Sequence, residues 1–499
     1  MERSGCIRGC ELDYGGMRLC GWMVWLVLLP SPALATRALR TDGGVLRDGA
    51  GGMVLLRGVN VAGNAKVPPF QAVRTDGDFD PLARWGMNVV RLLFTWEAYE
   101  PSRGTYDDAY LAYYRVAVRA AAARGLWVIV DFHQDAFSRA ALQGCGEGFP
   151  AWAIVPSVTP ATPDNGAACV DWGPRLVSDV DLRTTWTAFY ADSDGARTGF
   201  LAMVGKVAAA LVDEPGVIGY DLLNEPGGNE QTEIAPLYED AARAIRAADP
   251  DALLFVSPGA ITSAGTPTHL PKPTFGNLVY SPHYYDPLLY VLKAWGGGDE
   301  ADVFNQMAAV ATSWNAPLLL GEFGANPMVD GVDGYLGAIQ KQLDLHLASG
   351  TQWAYTPGWT ADAKDGWNQE DFSIVDGAGL PRANFRPRPF VRRTAGTLTS
   401  VDLTDETERA RNRLTLTWQH DAASGDTEIF APADYFGGTI SVETEGDVRC
   451  TTVLTLVTCS ATTSGPKRVR VVAAPRCGLT GIEGVLLLIA LGLRRRLSA

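Results

Sequence analysis

Three features that would point to common classes of protein are absent from this sequence. There is no excess of positive charge, because 42 lysines and arginines stand against 56 aspartates and glutamates, a formal net charge of -14. So acidic a chain is a poor partner for nucleic acid or for an anionic membrane surface. None of the 8 cysteines has the spacing of a zinc site. No glycine-rich phosphate loop follows the first predicted strand, which counts against a doubly wound sheet. No metal or other cofactor is predicted.

Two apolar stretches, each ending in a glutamate, are the most informative part of the sequence. Residues 217–226 read VIGYDLLNEP and residues 317–324 read PLLLGEFG. Such runs are typical of strands buried on both faces, and the proline at 226 marks where the first strand stops. Glu225 and Glu322 are therefore predicted to lie at the same rim of a sheet. Cleavage of a glycosidic bond needs such a carboxyl pair, one as acid/base and one as nucleophile.

Between residues 53 and 359, strand-like and helix-like segments alternate. Eight apolar segments are predicted strands: residues 54–61, 88–94, 126–132, 217–223, 253–257, 278–281, 317–321 and 351–355. Alanine-rich or amphipathic segments between them, such as 109–124, 234–248 and 334–348, predict helices. The pattern predicts an α/β fold, a (β/α)8 TIM barrel, with a doubly wound sheet as the alternative.

The barrel prediction has a consequence for function, because catalytic groups collect at the carboxyl ends of barrel strands. Polar and aromatic residues occupy such positions in most of the predicted strands. They are Arg91, the run Asp131-Phe-His133-Gln134-Asp135, the pair Asn224-Glu225, His283 and Tyr285, Glu322, and Trp353. We therefore predict a single site at this face of the barrel.

This set of residues resembles the retaining glycoside hydrolases of family 5. Three stretches are similar to the endoglycoceramidase branch of that family: NAKVPPF at 64–70, DFHQDAFS at 131–138 and GWNQEDFS at 366–373. The resemblance covers about residues 53–474. It implies a TIM barrel followed by a C-terminal β-sandwich. It also implies an enzyme that releases the glycan of a glycosphingolipid from its ceramide without a cofactor.

The resemblance and the chemistry together give each residue an expected role. Glu322 is expected to be the nucleophile and Glu225 the acid/base. Asn224 is expected to bond the sugar 2-hydroxyl, while Arg91 and Tyr285 keep Glu322 ionised. Five more residues are expected to form the subsite of the scissile sugar, the last two holding its outer hydroxyls by resemblance: His133, His283, Trp353, Lys66 and Asp135.

Two other functions remain open at this stage. One is an endo-β-glucanase of the same family, which would have an open cleft lined with tryptophan. The other is a non-catalytic protein that binds carbohydrate or lipid on the same barrel. An apolar groove beside Glu225 would favour a lipid aglycone, ceramide or sterol, reached by transient contact with a membrane or micelle. The aromatic residues nearest in sequence to such a groove are Phe137, Phe149, Trp152 and Tyr284.

The beginning of the chain predicts export. Arg18, an apolar run and the sequence Ala33-Leu-Ala35 are typical of a secretory signal peptide cleaved before Thr36, with Met17 as the expected start. An oxidising compartment predicts two disulfide bonds, Cys145–Cys169 and Cys450–Cys459. The first would clip the segment between residues 135 and 217, which we interpret as an insertion on the substrate side.

Four regions follow from these observations. Residues 1–35 are the signal peptide and 36–385 the catalytic barrel. Residues 390–475 form a β-sandwich, with predicted strands at 397–403, 413–420, 426–430, 439–444, 453–457 and 468–472. The sandwich is interpreted as a packing module in preference to an independent sugar-binding one. Residues 477–499 resemble a C-terminal sorting tag of Gram-negative bacteria, which predicts a secreted or surface-displayed protein.

Overall fold

The computed structural model describes residues 39–406 and 408–474. The predicted signal peptide and the predicted C-terminal tag lie outside these residues. Among the helices of the described part of the chain, none has both the length and the apolar composition of a membrane span.

A closed parallel sheet of eight strands forms the centre of the larger domain. In chain order the strands are Arg57–Val61, Val89–Thr95, Trp127–His133, Val217–Asp221, Leu253–Val256, Leu278–Tyr280, Leu319–Leu320 and Ser349–Tyr355. From the first to the sixth, each strand pairs with its neighbour, and the eighth pairs with both the first and the seventh. A bridge between Tyr280 and Leu318 joins the sixth and seventh strands. The predicted TIM barrel is confirmed.

Two short strands continue the sixth and seventh barrel strands towards the carboxyl face. His283–Tyr284 pairs in parallel with Glu322–Phe323, so His283 stands directly opposite Glu322. Two of the predicted site residues are thus placed side by side by backbone pairing alone.

Helices lie along the chain between and beside the barrel strands. They are Asp80–Arg84, Trp96–Tyr99, Asp108–Ala122, Trp172–Ser178, Val180–Tyr190, Ala196–Leu211, Ala235–Arg246, Pro287–Leu292, Ala301–Trp314 and Val332–Leu345. In the longer helices the buried residues recur every three or four positions, as in Ala235–Arg246, where Leu237, Ala241 and Ile245 are buried. This spacing places one apolar stripe against the protein core.

The segment interpreted as an insertion has two parts with different roles. Residues 135–178 form loops and one short helix, clipped by the disulfide bond Cys145–Cys169. The two helices that follow, Val180–Tyr190 and Ala196–Leu211, bury Phe189, Phe200 and Val204 in the barrel's core. Only the first part is therefore an insertion, and the helix Ala196–Leu211 precedes the fourth strand as an ordinary barrel helix.

Inside the barrel an apolar layer underlies a charged one. Val89 and Ile129 belong to a buried apolar cluster with residues of the other strands. Arg91 and Asp131, two positions further along the same strands, are equally buried. Side chains at i and i+2 of a strand point to the same face, so the charged residues lie on the same side of the sheet, nearer the carboxyl ends.

A β-sandwich of two antiparallel sheets completes the described chain. One sheet contains Gly396–Thr404, Arg413–His420, Gly465–Ala473 and Ile440–Thr444. The other contains Phe390–Thr394, Thr427–Phe430, Leu456–Ser460 and Arg449–Val453, and it is extended by three N-terminal strands, Arg40–Asp42, Val45–Arg47 and Met53–Val54. The predicted strand at 54–61 is therefore split between the two domains. The apolar residues of this segment are buried in both domains, so the hydrophobic pattern of the sequence contained no sign of a domain boundary within it.

One predicted sandwich strand, at 453–457, is wrong. Val453 ends one strand, Leu456 begins the next, and Leu454 at the turn has a φ of 53° and is 92% exposed. Cys450 and Cys459 stand opposite each other across this hairpin and are joined by a disulfide bond. The prediction failed because the turn contains apolar and β-branched residues where turns usually have Gly, Asn or Asp.

Candidate active site

Arg91 is the centre of the charged layer. Its guanidinium is fully buried and donates to four side chains from other barrel strands and to Asn224 beyond the fourth strand. The acceptors are Asp221 Oδ2 at 3.0 Å, Asn60 Oδ1 at 2.9 Å, Glu322 Oε1 at 2.7 Å, Asp131 Oδ1 at 2.8 Å and Asn224 Oδ1 at 2.9 Å. Burial alone would lower the pKa of Arg91, but the surrounding carboxylates raise it above its ordinary value. Arg91 is therefore a permanent cation that draws these strands together.

Both carboxylate oxygens of Glu322 are held by fixed donors. Arg91 donates to Oε1, and the Tyr285 hydroxyl donates to Oε2 at 2.8 Å. Burial, together with the charge of Glu322, keeps the pKa of Tyr285 well above its usual range, so the phenol remains a donor. Glu322 thus has its charge balanced and its orientation fixed.

Glu225 lies in a different environment, although it faces the same space. It follows the fourth strand with a φ of 38°, and the Gln134 side chain donates to the carbonyl oxygens of Asn224 and Glu225 at 2.7 and 2.9 Å. Burial and the charge of Asp135 raise the pKa of Glu225 to about 8. Glu225 is therefore protonated at neutral pH.

His283 connects the two glutamates. Its Nδ1 lies 2.8 Å from Glu225 Oε1 and 3.6 Å from Glu322 Oε2. Burial lowers the pKa of His283 to about 4, so the ring is neutral. One carboxylate oxygen of each glutamate and a ring nitrogen of His283 all lie within 4.8 Å of one another. So short an approach of one oxygen to the other fits the close class of carboxyl pairs, about 5–5.5 Å apart in retaining glycosidases.

Lys66 is the centre of a second part of the site. Its ammonium donates to Asp135 Oδ2 at 2.5 Å and lies 3.5 Å from Glu370 Oε2. It also stands over the rings of Trp353 and Trp367, 4.5 and 4.1 Å from their centroids. The ammonium and the carboxylates beside it are charged hydrogen-bonding groups of the kind that suit sugar hydroxyl groups.

His133 links this second part to Arg91. Its Nδ1 is 2.7 Å from Asp131, which in turn accepts from Arg91, and its ring stacks on Trp353 at 5.5 Å. Burial lowers the pKa of His133, but the neighbouring carboxylates, Asp131 first, raise it to about 10. His133 is therefore an imidazolium at neutral pH.

The structure brings all ten predicted site residues together. Asn224 is among them, but its amide nitrogen donates to the Gln134 carbonyl oxygen, so only part of its hydrogen-bonding capacity faces the site. The sequence reasoning gave no role to Asn60, Asp221, Glu147 or Glu370. Asp221 lies inside an apolar strand, where a charge implies an internal partner, and this signal could have identified it.

The four aromatic residues proposed for a lipid groove do not line one. Phe137 and Phe149 are 0% and 1% exposed and pack with one another and against Trp186. Trp152 packs on Trp96, and buried Tyr284 donates to Glu300. The helices Val180–Tyr190 and Ala196–Leu211 supply apolar partners that the sequence alone did not associate with this loop. Two further aromatic rings border the site, because the ring centroids of Tyr290 and Phe372 lie 6.2 and 6.1 Å from that of Tyr285.

Two groups of side chains at the site have the donor types of a metal centre: His133, Asp135 and Glu147, and Glu225, His283 and Glu322. Each group already has a protein cation against one of its carboxylates, Lys66 in the first and Arg91 in the second. These cations supply the positive charge that a metal ion would otherwise provide.

Comparisons with known proteins found relatives of this chain in both sequence and structure. The family model described as cellulase, glycosyl hydrolase family 5, matches residues 48–365. Endoglycoceramidase I of Rhodococcus hoagii (strain 103S) is 29% identical over 360 residues, 66% of this chain and 70% of the relative. Endo-glycoceramidase II from Rhodococcus sp., solved with ganglioside GM3, has a TM-score of 0.73 and 25% identity over 87% of this chain and 100% of its own. The same enzyme, solved as a lactosyl-enzyme intermediate, has a TM-score of 0.71 and 27% identity over 87% of this chain and 100% of its own.

Proposed function

The chain belongs to glycosyl hydrolase family 5 and is a glycosidase, and on that premise we propose that it cleaves the bond between glycan and ceramide in glycosphingolipids. One observation carries the choice of substrate. The three stretches that resemble endoglycoceramidases meet around a single ammonium group, that of Lys66 in the first stretch. Asp135 of the second stretch and Trp367 and Glu370 of the third contact it directly. The relatives named endoglycoceramidase, one of them solved with a ganglioside, support the same substrate class.

We propose that the reaction begins with Glu322 as the nucleophile. Its carboxylate attacks the anomeric carbon and forms a glycosyl ester, while the bond from that carbon to the ceramide oxygen breaks. Glu225, protonated at neutral pH, gives its proton to the departing oxygen, and free ceramide leaves. Arg91 and Tyr285 hold both oxygens of Glu322, which orients the nucleophile.

The second step reverses the roles around the same carbon. Glu225, now a carboxylate, takes a proton from a water molecule, whose oxygen attacks the anomeric carbon and displaces Glu322. The glycan is released with its original anomeric configuration. A lactosyl-enzyme intermediate solved for a relative supports an ester of this kind. The short separation between the carboxyl oxygens of Glu225 and Glu322, within 4.8 Å, fits this two-step route.

We propose that the lipid leaves the site beside the helix Pro287–Leu292. Tyr290 on this helix contacts Phe372 at 6.0 Å, next to Tyr285, while Val291 is 78% exposed. Leu288 and Leu292 are exposed on the same helix, and Met328 is exposed after the seventh strand. Burying such side chains in a membrane or micelle stabilises contact by about 25 cal/mol per Å². Transient contact of this kind would give access to a substrate embedded in lipid.

We propose no sugar-binding role for the β-sandwich. Its aromatic residues in the described chain, Phe390, Trp418, Phe430, Tyr435 and Phe436, are all buried. Stacking on a sugar needs an exposed ring, so packing against the barrel is the role that the side chains support.

We also propose that the protein is exported, and then secreted or displayed on the cell surface. The pattern at residues 17–35 is that of a signal peptide, and two disulfide bonds suit an oxidising compartment. Fractionation of cells that express the full chain tests this proposal, because activity confined to the cytosol would contradict it.

The substrate proposal is tested by comparing two substrates with the purified enzyme. A detergent-solubilised glycosphingolipid should yield an intact oligosaccharide and free ceramide, both measured by mass spectrometry. The description of the matching family as cellulase makes a soluble β-glucan the alternative substrate. Efficient cleavage of the glucan with no release of ceramide would overturn the glycolipid proposal and leave the glycosidase assignment intact.

A further inference from the structure

Glu147 is a buried carboxylate to which no role has yet been given. Its side chain is 0% exposed, and neither of its oxygens has a hydrogen-bond partner among the described residues. One of them, Oε1, lies 3.3 Å from Nε2 of His133, a nitrogen that also has no hydrogen-bond partner in this part of the chain. A buried carboxyl group without hydrogen bonds is costly, and burial raises the pKa of Glu147 to about 8, so the group is neutral at pH 7 and becomes charged as the pH rises.

The backbone around Glu147 joins two walls of the sugar subsite. Glu147 N donates to Asp135 O at 2.7 Å, and Asp135 N donates to Glu147 O at 3.2 Å. The preceding carbonyl oxygens, of Cys145 and Gly146, accept from Asn368 Nδ2 at 2.7 Å and from Trp367 Nε1 at 3.4 Å. A side chain at Gly146 would collide with the Ser138 and Ala136 carbonyl oxygens, 2.4 and 2.5 Å from its Cβ. The position of Glu147 is thus fixed by its neighbours on both sides.

A chain of contacts leads from Glu147 to the nucleophile. His133 lies between Glu147 and Asp131, Asp131 accepts from Arg91, and Arg91 donates to Glu322. The other nearby contact of His133 Nε2 is Asp135 Oδ2 at 3.6 Å, which also binds Lys66. The His133 ring therefore stands between the sugar-binding carboxylate and the charged layer below it.

We infer that Glu147 is a positioning residue, which together with Asp131 holds the His133 ring in place and through it orients Asp135 for the sugar. This inference rests on the proposed glycosidase site and adds a residue to it. Burial lowers the pKa of His133, whereas Asp131 and then Glu147 raise it to about 10. Because the pKa of Glu147 is about 8, Glu147 is charged in the range where His133 titrates, and removal of that charge lowers the pKa of His133. The charged and titratable groups around His133 are Asp131, Asp135, Glu147, Lys66, Arg91, Glu225 and His283.

The direct test is the titration of His133 in the variant Glu147→Gln, which keeps the shape of the side chain and removes its charge. The chain has 5 histidines, so nitrogen-15 labelling of histidine alone gives few ring signals. The signal that is missing from a His133→Gln variant is that of His133. In the parent protein His133 should remain doubly protonated up to about pH 9. In Glu147→Gln its deprotonation should occur at least one pH unit lower. Identical titration curves in the two proteins would overturn the inference.

A binding measurement separates positioning from a general loss of structure. Calorimetry at pH 9, where Glu147 is charged, with a monosaccharide iminosugar should show about tenfold weaker binding to Glu147→Gln, a coupling of the size seen between contacting residues. The losses in Glu147→Gln and His133→Gln should not add in the double variant, because Glu147 acts through His133. Additive losses would contradict the inference.

Glu214→Gln is a matched control. Glu214 is an equally buried carboxylate, but it pairs with Arg115 and Arg119 just before the fourth strand begins. Its replacement should leave both the His133 titration and iminosugar binding unchanged. If Glu147→Gln does not fold, the variant Glu147→Asp replaces it in the test. Aspartate keeps the charge, so His133 should titrate as in the parent protein. A lowered His133 pKa in Glu147→Asp would count against the inference. Because titration needs no turnover, it remains decisive even if the substrate proposal fails.

Discussion

Replacement of Glu225 by glutamine is expected to stabilise the protein, and to do so increasingly as the pH rises. Burial and the charge of Asp135 raise the pKa of Glu225 from its ordinary 4.5 to about 8. Between these two pH values the folded protein retains a proton that the unfolded chain has lost. The free energy of unfolding therefore falls as the pH rises through this window, whereas glutamine, which does not titrate, has no such penalty.

The size of this effect follows from the two pKa values. Each unit of difference corresponds to about 1.4 kcal/mol, so the parent should lose about 2.5 kcal/mol relative to Glu225→Gln between pH 5 and pH 7. The loss should level off above about pH 8, where Glu225 is ionised in both states. Urea unfolding at pH 5, 6, 7, 8 and 9, followed by tryptophan fluorescence and near-ultraviolet circular dichroism, measures the difference.

A control of opposite sign accompanies this experiment. Burial tends to raise the pKa of Glu214, but Arg119 and Arg115 lower it overall. Glu214 therefore contributes stability that is present above its unfolded pKa and is lost as the pH falls. The gap between the parent and Glu214→Gln should narrow towards acid pH. Unfolding free energies of the parent and Glu225→Gln that run parallel from pH 5 to pH 9 would refute the assignment of Glu225 as a protonated acid.

Three further predictions concern turnover. Glu322→Gln should abolish activity with the fold intact, and a mechanism-based fluorosugar should label Glu322 in the parent; mass spectrometry that finds the label elsewhere would contradict this. Glu225→Ala should lose most activity on substrates whose leaving groups need a proton, but little in the first step on activated aryl glycosides. Azide should rescue the second step. Equal losses on both kinds of substrate, without rescue, would exclude Glu225 as the acid/base. Lys66→Met should raise KM more than it lowers kcat, because Lys66 holds Asp135 towards the sugar; an unchanged KM would show that this contact is dispensable.

The barrel and its carboxyl pair could be predicted because their signals are local. Glu225 and Glu322 each end a continuous apolar run, and such runs indicate buried strands whatever the rest of the chain does. The ten site residues could be named because they recur at strand ends and in stretches that resemble one family. Their convergence in the structure follows from parallel pairing, as in the direct pairing of His283 with Glu322.

The features that could not be predicted depend on contacts distant in sequence. The strand Met53–Val54 pairs with Phe390–Thr394, more than three hundred residues away. The apolar residues that begin with this strand run directly up to the first barrel strand in the sequence. Phe137 and Phe149 are core residues only because Trp186 and Phe200, further along the chain, fold back on them. Glu147 was missed for the same reason, because it contacts His133 across a loop. Its side chain is also buried, which the sequence of a polar loop does not indicate.

The configuration of the first sugar released tests the whole account most directly. Proton NMR of a detergent-solubilised β-linked glycosphingolipid, recorded in the first minutes of hydrolysis, distinguishes the anomers of the freed glycan before they equilibrate. The arrangement of Glu225 and Glu322 within 4.8 Å predicts the β anomer of an intact oligosaccharide, released together with ceramide. Initial release of the α anomer, or of single sugars with the ceramide still glycosylated, would contradict it.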